Sequence, residues 1–255
     1  MDMISEFPLF AFTTLGGLAA GAYVVGAFFP SAGRDAKRSW LFPLACIVLL
    51  GAGLLGVLGH LGRPERFLLA LSNLSSMIAE EAYWSIAFGV LLLVDLALRA
   101  RKGESPRAVG VLGAVAALGL MCIMGWAYFT AYGNPAWAAW PTLVLFVAGD
   151  LGMGAALFAL FDSGLYRKGA FAFASAALSV LAAAGMVAVA ARFVGLGHGM
   201  EPFVVGTVLA VAGAACALLA WKGKLSGKAA APVVFACLLV GVAVARYAFY
   251  AASIL

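Results

Sequence analysis

Apolar residues run through this chain in long stretches, broken about every 30 residues by short polar segments. A helix needs roughly 20 mostly apolar residues to cross the hydrocarbon layer of a bilayer. Stretches of that length fall at residues 7–29, 41–59, 81–99, 108–130, 139–162, 169–192, 202–222 and 230–253. Little chain is left over, so the pattern predicts a single eight-span membrane domain over 1–255 and no soluble domain. In lipid the backbone must satisfy its own hydrogen bonds, which leaves helices or a closed barrel. Runs this continuous predict helices. The expected fold is all-α integral membrane, a polytopic bundle of eight transmembrane helices joined by short loops.

One connection departs from this plan. Residues 60–80, HLGRPERFLLALSNLSSMIAE, separate the second and third spans. Pro64 suits the first position of a helix, and Phe67, Leu68, Leu71 and Leu74 then share one face. The expectation is a short helix lying in the interface, roofing a pocket between spans.

Charge orients the bundle. Hydrophobic residues make up 65% of the chain and charged residues only 11%, against about 25% in soluble proteins. When loops are assigned alternately to two sides, 12 of the 16 basic residues fall on one: Arg34, Lys37, Arg38, Arg99, Arg101, Lys102, Arg107, Arg167, Lys168, Lys222, Lys224 and Lys228. The other side receives Arg63, Arg66, Arg192 and Arg246. The positive-inside rule makes the basic side cytoplasmic, which puts both termini on the non-cytoplasmic side. The net charge of +5 therefore reflects topology rather than nucleic-acid affinity. The opening MDMISEFPLF lacks the basic n-region of a signal peptide, so the first stretch is expected to stay as a span.

Small and aromatic residues fill in the packing. Gly17 and Gly21 in the first span, Gly51, Gly53 and Gly56 in the second, and Gly149, Gly152 and Gly154 in the fifth let helix backbones approach closely in lipid. Cys46, Cys122, Cys216 and Cys237 fall inside spans without paired spacing, as small packing residues do; this argues against an iron–sulfur cluster bound by this chain. Tyr83, Trp84, Tyr128, Tyr132, Trp137, Trp140, Tyr247 and Tyr250 mark the non-cytoplasmic boundary, and Trp40 and Trp221 the other, as an interfacial belt does.

The remaining polar residues converge on the non-cytoplasmic face. A charge at the centre of a span costs about 2.5–3.5 kcal/mol on insertion scales. Asp150 lies near mid-membrane in the fifth span, where either a structural pairing with a neighbouring span or a proton path would account for it. Arg246 lies roughly 24 Å along the eighth span at 1.5 Å per residue, and because a guanidinium does not deprotonate it must find a carboxylate or a carbonyl. His60 ends the second span, Glu80 and Glu81 open the third, and Arg192 closes the sixth, all at that level. His198 sits in the Gly-rich connection GLGHGMEP. Blander roles exist for several of these: Glu80 and Glu81 also suit a helix N-terminus through its dipole, and Arg192 suits a snorkelling position.

Such a cluster fits two-electron, two-proton oxidation of a lipid-soluble quinol. The ring needs an apolar cleft, and each hydroxyl needs an acceptor, at least one able to take a proton near neutral pH. A histidine meets that condition unperturbed, and a partly desolvated glutamate can be raised toward it. The chain offers nothing to take the electrons onward, so a partner with a redox centre must dock on the same face.

The residues also resemble a known family, the membrane-anchor subunits of dimethyl-sulfoxide reductases, which belong among the quinol-oxidising anchors of molybdenum enzymes. The likeness is carried by His60-Leu61-Gly62-Arg63-Pro64, then Arg66, Asn73, Ser76 and the acid at the start of the third span. It continues in Arg246 with Phe249-Tyr250, and in Glu6-Phe7-Pro8-Leu9 with Phe12-Thr13. The resemblance implies a multi-pass subunit of the cytoplasmic membrane that oxidises menaquinol as a bound substrate and holds no covalent cofactor. It also implies an iron–sulfur electron-transfer subunit and a molybdopterin catalytic subunit as partners, docked on the non-cytoplasmic face and carrying the metal centres. The histidine of the motif and the acid opening the next span carry over as His60 and Glu81. The acid is doubled here and sits about one residue closer to the motif, so Glu80 stays beside Glu81 as a candidate.

On this reading menaquinol binds between the second, third and eighth spans under the 60–80 connection. His60 and Glu81 accept its hydrogen bonds and protons, and Arg246 orients the glutamate. Glu80, Trp84 and Tyr250 complete the lining, while Arg63 and Arg66 hold the pocket or dock the iron–sulfur partner. Two other readings stay open. One is a haem b anchor with His60 and His198 as axial ligands. The other is a secondary transporter using Asp150 and Arg246, although inverted repeats or paired broken helices, its usual signs, are not evident.

Overall fold

The computed structural model describes residues 6–29, 38–60, 71–73 and 76–252. Eight long helices carry the fold: α1 (Phe7–Phe28), α2 (Leu41–His60), α3 (Met77–Lys102), α4 (Arg107–Phe129), α5 (Trp140–Phe161), α6 (Gly169–Gly195), α7 (Glu201–Trp221) and α8 (Gly227–Ala251). All eight are long and apolar enough to cross a membrane, and no strand occurs among the described residues. A single 3-10 turn, Ser163–Arg167, links α5 to α6. The eight-span expectation holds. Of the connection expected to form an interfacial helix, residues 61–70 and 74–75, which include Arg63, Pro64, Arg66, Phe67, Leu68 and Leu74, lie outside the described residues.

Two helix starts differ from the hydropathy pattern for a local reason. Helix α3 begins at Met77, four residues before the expected start, because extended Ser76 caps it and the Glu80 amide already donates to the Ser76 carbonyl at 3.0 Å. Acids are welcome in the first turn of a helix, so Glu80 and Glu81 sit inside α3 rather than ahead of it. Helix α8 begins at Gly227, where the Ser226 side chain accepts from the Ala229 amide at 3.2 Å, a standard N-cap bond.

The helices form two four-membered groups. Helices α1 to α4 pack in a ring, as do α5 to α8, and the groups join along α1 and α5, with α4 against α5 and α8 against α1 at the margins. Helices α1 and α5 are accordingly the most deeply buried. Their backbones touch. A Cβ on Gly17 would lie 2.0 Å from Asp150 Oδ1, one on Gly21 would lie 2.0 Å from the Asp150 carbonyl oxygen, and one on Gly154 would meet the Gly21 backbone at 2.1 Å. The glycines of the first span are therefore packing residues, as expected for helices that associate in lipid by close approach.

With eight spans both termini reach one end of the bundle, called here the terminal end. The opposite end carries Arg99, Arg101 and Lys102 in the last turn of α3, which closes at Gly103 with φ 77°. The Ser39 hydroxyl donates to the Gly103 carbonyl at 2.6 Å and ties the start of α2 to that corner.

Candidate functional site

Arg246 organises the terminal end. It projects from the penultimate turn of α8, is fully buried, and has its guanidinium against two other helices. Nη2 donates to Asp150 Oδ1 at 2.6 Å and to the Phe146 carbonyl at 3.2 Å, both on α5. Nη1 donates to the Thr13 carbonyl on α1. The guanidinium carbon stands 4.5 Å above the Phe146 ring, a cation–π position. Depth along the helices explains the pairing. Asp150 is ten residues beyond Trp140, about 15 Å below the start of α5, and Arg246 sits nearer the end of α8, so its long side chain reaches inward to the carboxylate. The expectation that Arg246 orients Glu81 is replaced: the guanidinium is committed to Asp150 and two backbone carbonyls. The structural pairing anticipated for Asp150 is present. Asp150 Oδ2 and Arg246 Nε are buried and find no partner among the described residues.

A chain of hydroxyls lies directly above this pair. Tyr250, one turn along α8 from Arg246, faces Thr13 with its hydroxyl 3.0 Å from Thr13 Oγ1. Tyr128, from the last turn of α4, hydrogen-bonds to the Tyr250 hydroxyl, and the two rings meet edge to face at 5.2 Å. Below, the Tyr128 ring stacks on Phe146 at 5.2 Å, the ring beneath Arg246. Trp137 seals the group from the side: it stacks on Phe249 at 5.4 Å, and its indole N–H donates to the Phe249 carbonyl at 2.7 Å.

Glu81 is one of two acids, with Glu6, that act on this chain. It is half-buried in the second turn of α3 and acts electrostatically on both the Tyr128 and Tyr250 hydroxyls. Glu80 is also half-buried, but no link to these tyrosines accompanies it. Tyr83 donates its hydroxyl to the Leu71 carbonyl and so ties the 60–80 connection to α3. Trp84 is 38% exposed and lies across Gly119 of α4, walling an apolar cleft with Cys122 and Trp126. His60 is the last residue of α2, at the same end of the bundle. Arg63 and Arg66 fall outside the described residues.

The terminal end thus gathers Glu81, Tyr250 and Arg246 from the sequence-derived set, with His60 at the same level. It leaves Trp84 on the outside of α3. The boundary aromatics divide: Tyr83, Trp84, Tyr132, Trp140 and Tyr247 are exposed as a belt should be, whereas Tyr128 and Tyr250 are buried. Tyr128 is the residue that sequence reasoning placed wrongly, since an end-of-span tyrosine looks the same whether it faces lipid or protein. Arg192 is exposed and donates from Nε and Nη2 to the Pro135 carbonyl at 3.3 and 3.1 Å, fastening α6 to the α4–α5 connection. The His198 ring rests 5.4 Å from Phe193.

A second buried ion pair sits in the other half of the bundle and was not singled out in the sequence. Arg99 Nε donates to Asp95 Oδ1 at 2.8 Å on the inner part of α3, with Asp95 fully buried and the Arg99 side chain 24% exposed. Tyr23 of α1 faces Asp95. The available signal was an acid within VLLLVDLALRAR followed by arginine four residues later, the spacing of a helical ion pair.

Among the described residues no three His, Cys, Asp or Glu side chains gather as a metal site. The terminal end offers proton-accepting and hydrogen-bonding groups at the edge of an apolar, aromatic-walled bundle. Those groups suit a neutral lipophilic substrate that releases protons.

Comparison with known proteins identifies a family. The sequence model for the DMSO reductase anchor subunit (DmsC) matches residues 1–215. The match takes in α1 to α6 and most of α7, so it includes His60, Glu81, Tyr128 and Asp150, while Arg246 and Tyr250 of α8 lie beyond it. No curated protein matches the chain. A family match spanning most of the chain, on an eight-helix membrane fold, places this protein in the DMSO reductase anchor subunit family.

Proposed function

We propose that this anchor oxidises menaquinol at its terminal end and passes the electrons to an iron–sulfur subunit docked there. A molybdopterin catalytic subunit then uses them to reduce a terminal acceptor. The observation that carries the reading is the Tyr128–Tyr250–Thr13 hydroxyl chain above a buried guanidinium, with half-buried Glu81 acting electrostatically on both tyrosines. Oxidising a quinol removes two protons and two electrons. Glu81 is the general base of this site, and His60 the second acceptor from the end of α2. General bases of this kind contribute about 10²- to 10⁴-fold to rate.

Arg246 and Asp150 hold the floor. Their mutual compensation lets a carboxylate base work above them without an unpaired cation pulling on its proton affinity. Arg63 and Arg66 serve to dock the iron–sulfur partner or to hold the pocket, and Glu80 adds a second acid at the start of α3. The subunit resides in the cytoplasmic membrane with its termini and its quinol site on the non-cytoplasmic side. Because pocket and partner share a face, turnover moves little net charge across the bilayer.

Mild-detergent purification of the tagged chain from its native host, with metal analysis of the co-eluting proteins, tests the anchor role. The expected result is molybdenum and several irons arriving with two larger soluble subunits. Elution of the chain alone and metal-free, under conditions that keep comparable complexes intact, overturns it.

A further inference from the structure

Two acids act electrostatically on the Tyr128 hydroxyl: Glu81 of α3 and Glu6, immediately before α1. Glu6 occupies the N-cap position of α1 yet makes no capping bond to the helix backbone, so its carboxylate is not held by the usual role of an acid at that position. Instead it lines a small cleft with Phe10, Tyr247 and Tyr250. The free space there, about 10 Å³, is on the scale of one water molecule. Phe10 and Tyr247 meet edge to face at 5.9 Å and close its flank. Thr13 holds the Tyr250 hydroxyl from below at 3.0 Å.

We propose that Glu6 is the proton-exit residue of the quinol site, fed from Glu81 through the hydroxyls of Tyr128 and Tyr250 and a single water in the cleft at Glu6. This rests on the quinol-oxidation reading above. The balance is simple. Glu81 takes a proton from a quinol hydroxyl while the electrons leave to the iron–sulfur partner. Glu81 then gives its proton to the Tyr128 oxygen as Tyr128 gives its own to Tyr250, and Tyr250 gives its own through water to Glu6. Each O–H bond broken is matched by one formed, no tyrosinate remains, and one of the two quinol protons takes this route while the other goes to His60. Inward of the tyrosines lies the buried Arg246–Asp150 pair. Arg246 cannot release a proton, and below it the α1 and α5 backbones touch at Gly21 and Gly154.

The test uses the whole complex, a short-chain menaquinol analogue, and the variant Glu6→Gln. The proposal expects kcat to fall by about 10²-fold with KM unchanged, a larger solvent deuterium isotope effect, and recovery of rate with added formate or azide. Glu6→Asp is expected to keep most of the activity, and Tyr250→Phe to lose it without rescue. Small acids restore a missing proton exit but not a distorted fold, so an unrescued loss in Glu6→Gln overturns the relay. A wild-type rate with an unchanged isotope effect does so as well. If the wild-type complex itself oxidises no quinol, the underlying reading falls and the relay with it; full wild-type activity beside an unaffected Glu6→Gln removes the relay alone.

Discussion

Arg246 Nη2 and Asp150 Oδ1 meet at 2.6 Å with neither side chain exposed, one on α8 and the other on α5. Two further bonds from the same guanidinium reach the Thr13 and Phe146 carbonyls. One side chain therefore joins the two four-helix groups at the level of the candidate site. Breaking a buried pair leaves an uncompensated charge and costs about 3–5 kcal/mol, whereas replacing both partners with apolar groups is often close to neutral. Arg246→Met is therefore expected to lower the thermal midpoint sharply, and adding Asp150→Leu to recover much of that loss. Thermal unfolding in detergent of the two variants checks this; equal losses in the single and double variants contradict the account.

The α1–α5 contact makes a sharper packing prediction. Gly17→Ala places a methyl group 2.0 Å from Asp150 Oδ1, and Gly21→Ala places one 2.0 Å from a backbone oxygen, whereas a Cβ at Gly51 meets nothing within 4 Å. Gly17→Ala and Gly21→Ala are expected to destabilise the subunit and lower its yield in membranes. Gly51→Ala is expected to be neutral or stabilising by up to about 1 kcal/mol, since alanine favours helix over glycine. Relative yield and unfolding midpoint of the three variants decide it.

The inner pair should behave asymmetrically. Arg99 is partly exposed and can turn to the membrane surface when its partner is lost, as long basic side chains do, whereas Asp95 is fully buried. Arg99→Ala therefore strands a carboxylate and is expected to cost about 3 kcal/mol or more, against about 1 kcal/mol for Asp95→Asn. The order of the two unfolding midpoints is the check; the reverse order contradicts the assignment.

What the sequence made legible followed from hydropathy and from the cost of charge in lipid. Eight apolar runs gave eight helices, and the demand that Arg246 find a carboxylate or carbonyl was met by Asp150, Thr13 and Phe146. Rotation of the helices was not legible. Glu81 and Arg246 fall at similar depth along their spans, which suggested a direct pairing, yet the guanidinium turns toward α5. The burial of Tyr128 was hidden for the same reason, because depth says nothing about which way a ring points. The start of α3 was displaced because hydropathy discounts the acids that its first turns favour. Asp95 escaped notice inside a run whose mean hydropathy one acid barely lowers. The family likeness pointed to the histidine motif and the following acid, and that acid acts electrostatically on two tyrosines that no motif had joined to it.

The central claim is that quinol gives up its electrons beside Glu81. The most direct measurement mixes the purified complex anaerobically with one equivalent of a menaquinol analogue and follows reduction of the partner's iron–sulfur clusters in a single turnover. The account predicts rapid reduction in the wild type and a rate about 10²-fold or more lower in Glu81→Gln, with both complexes equally assembled. Cluster reduction at the wild-type rate in Glu81→Gln, or none from quinol in the wild type, contradicts it.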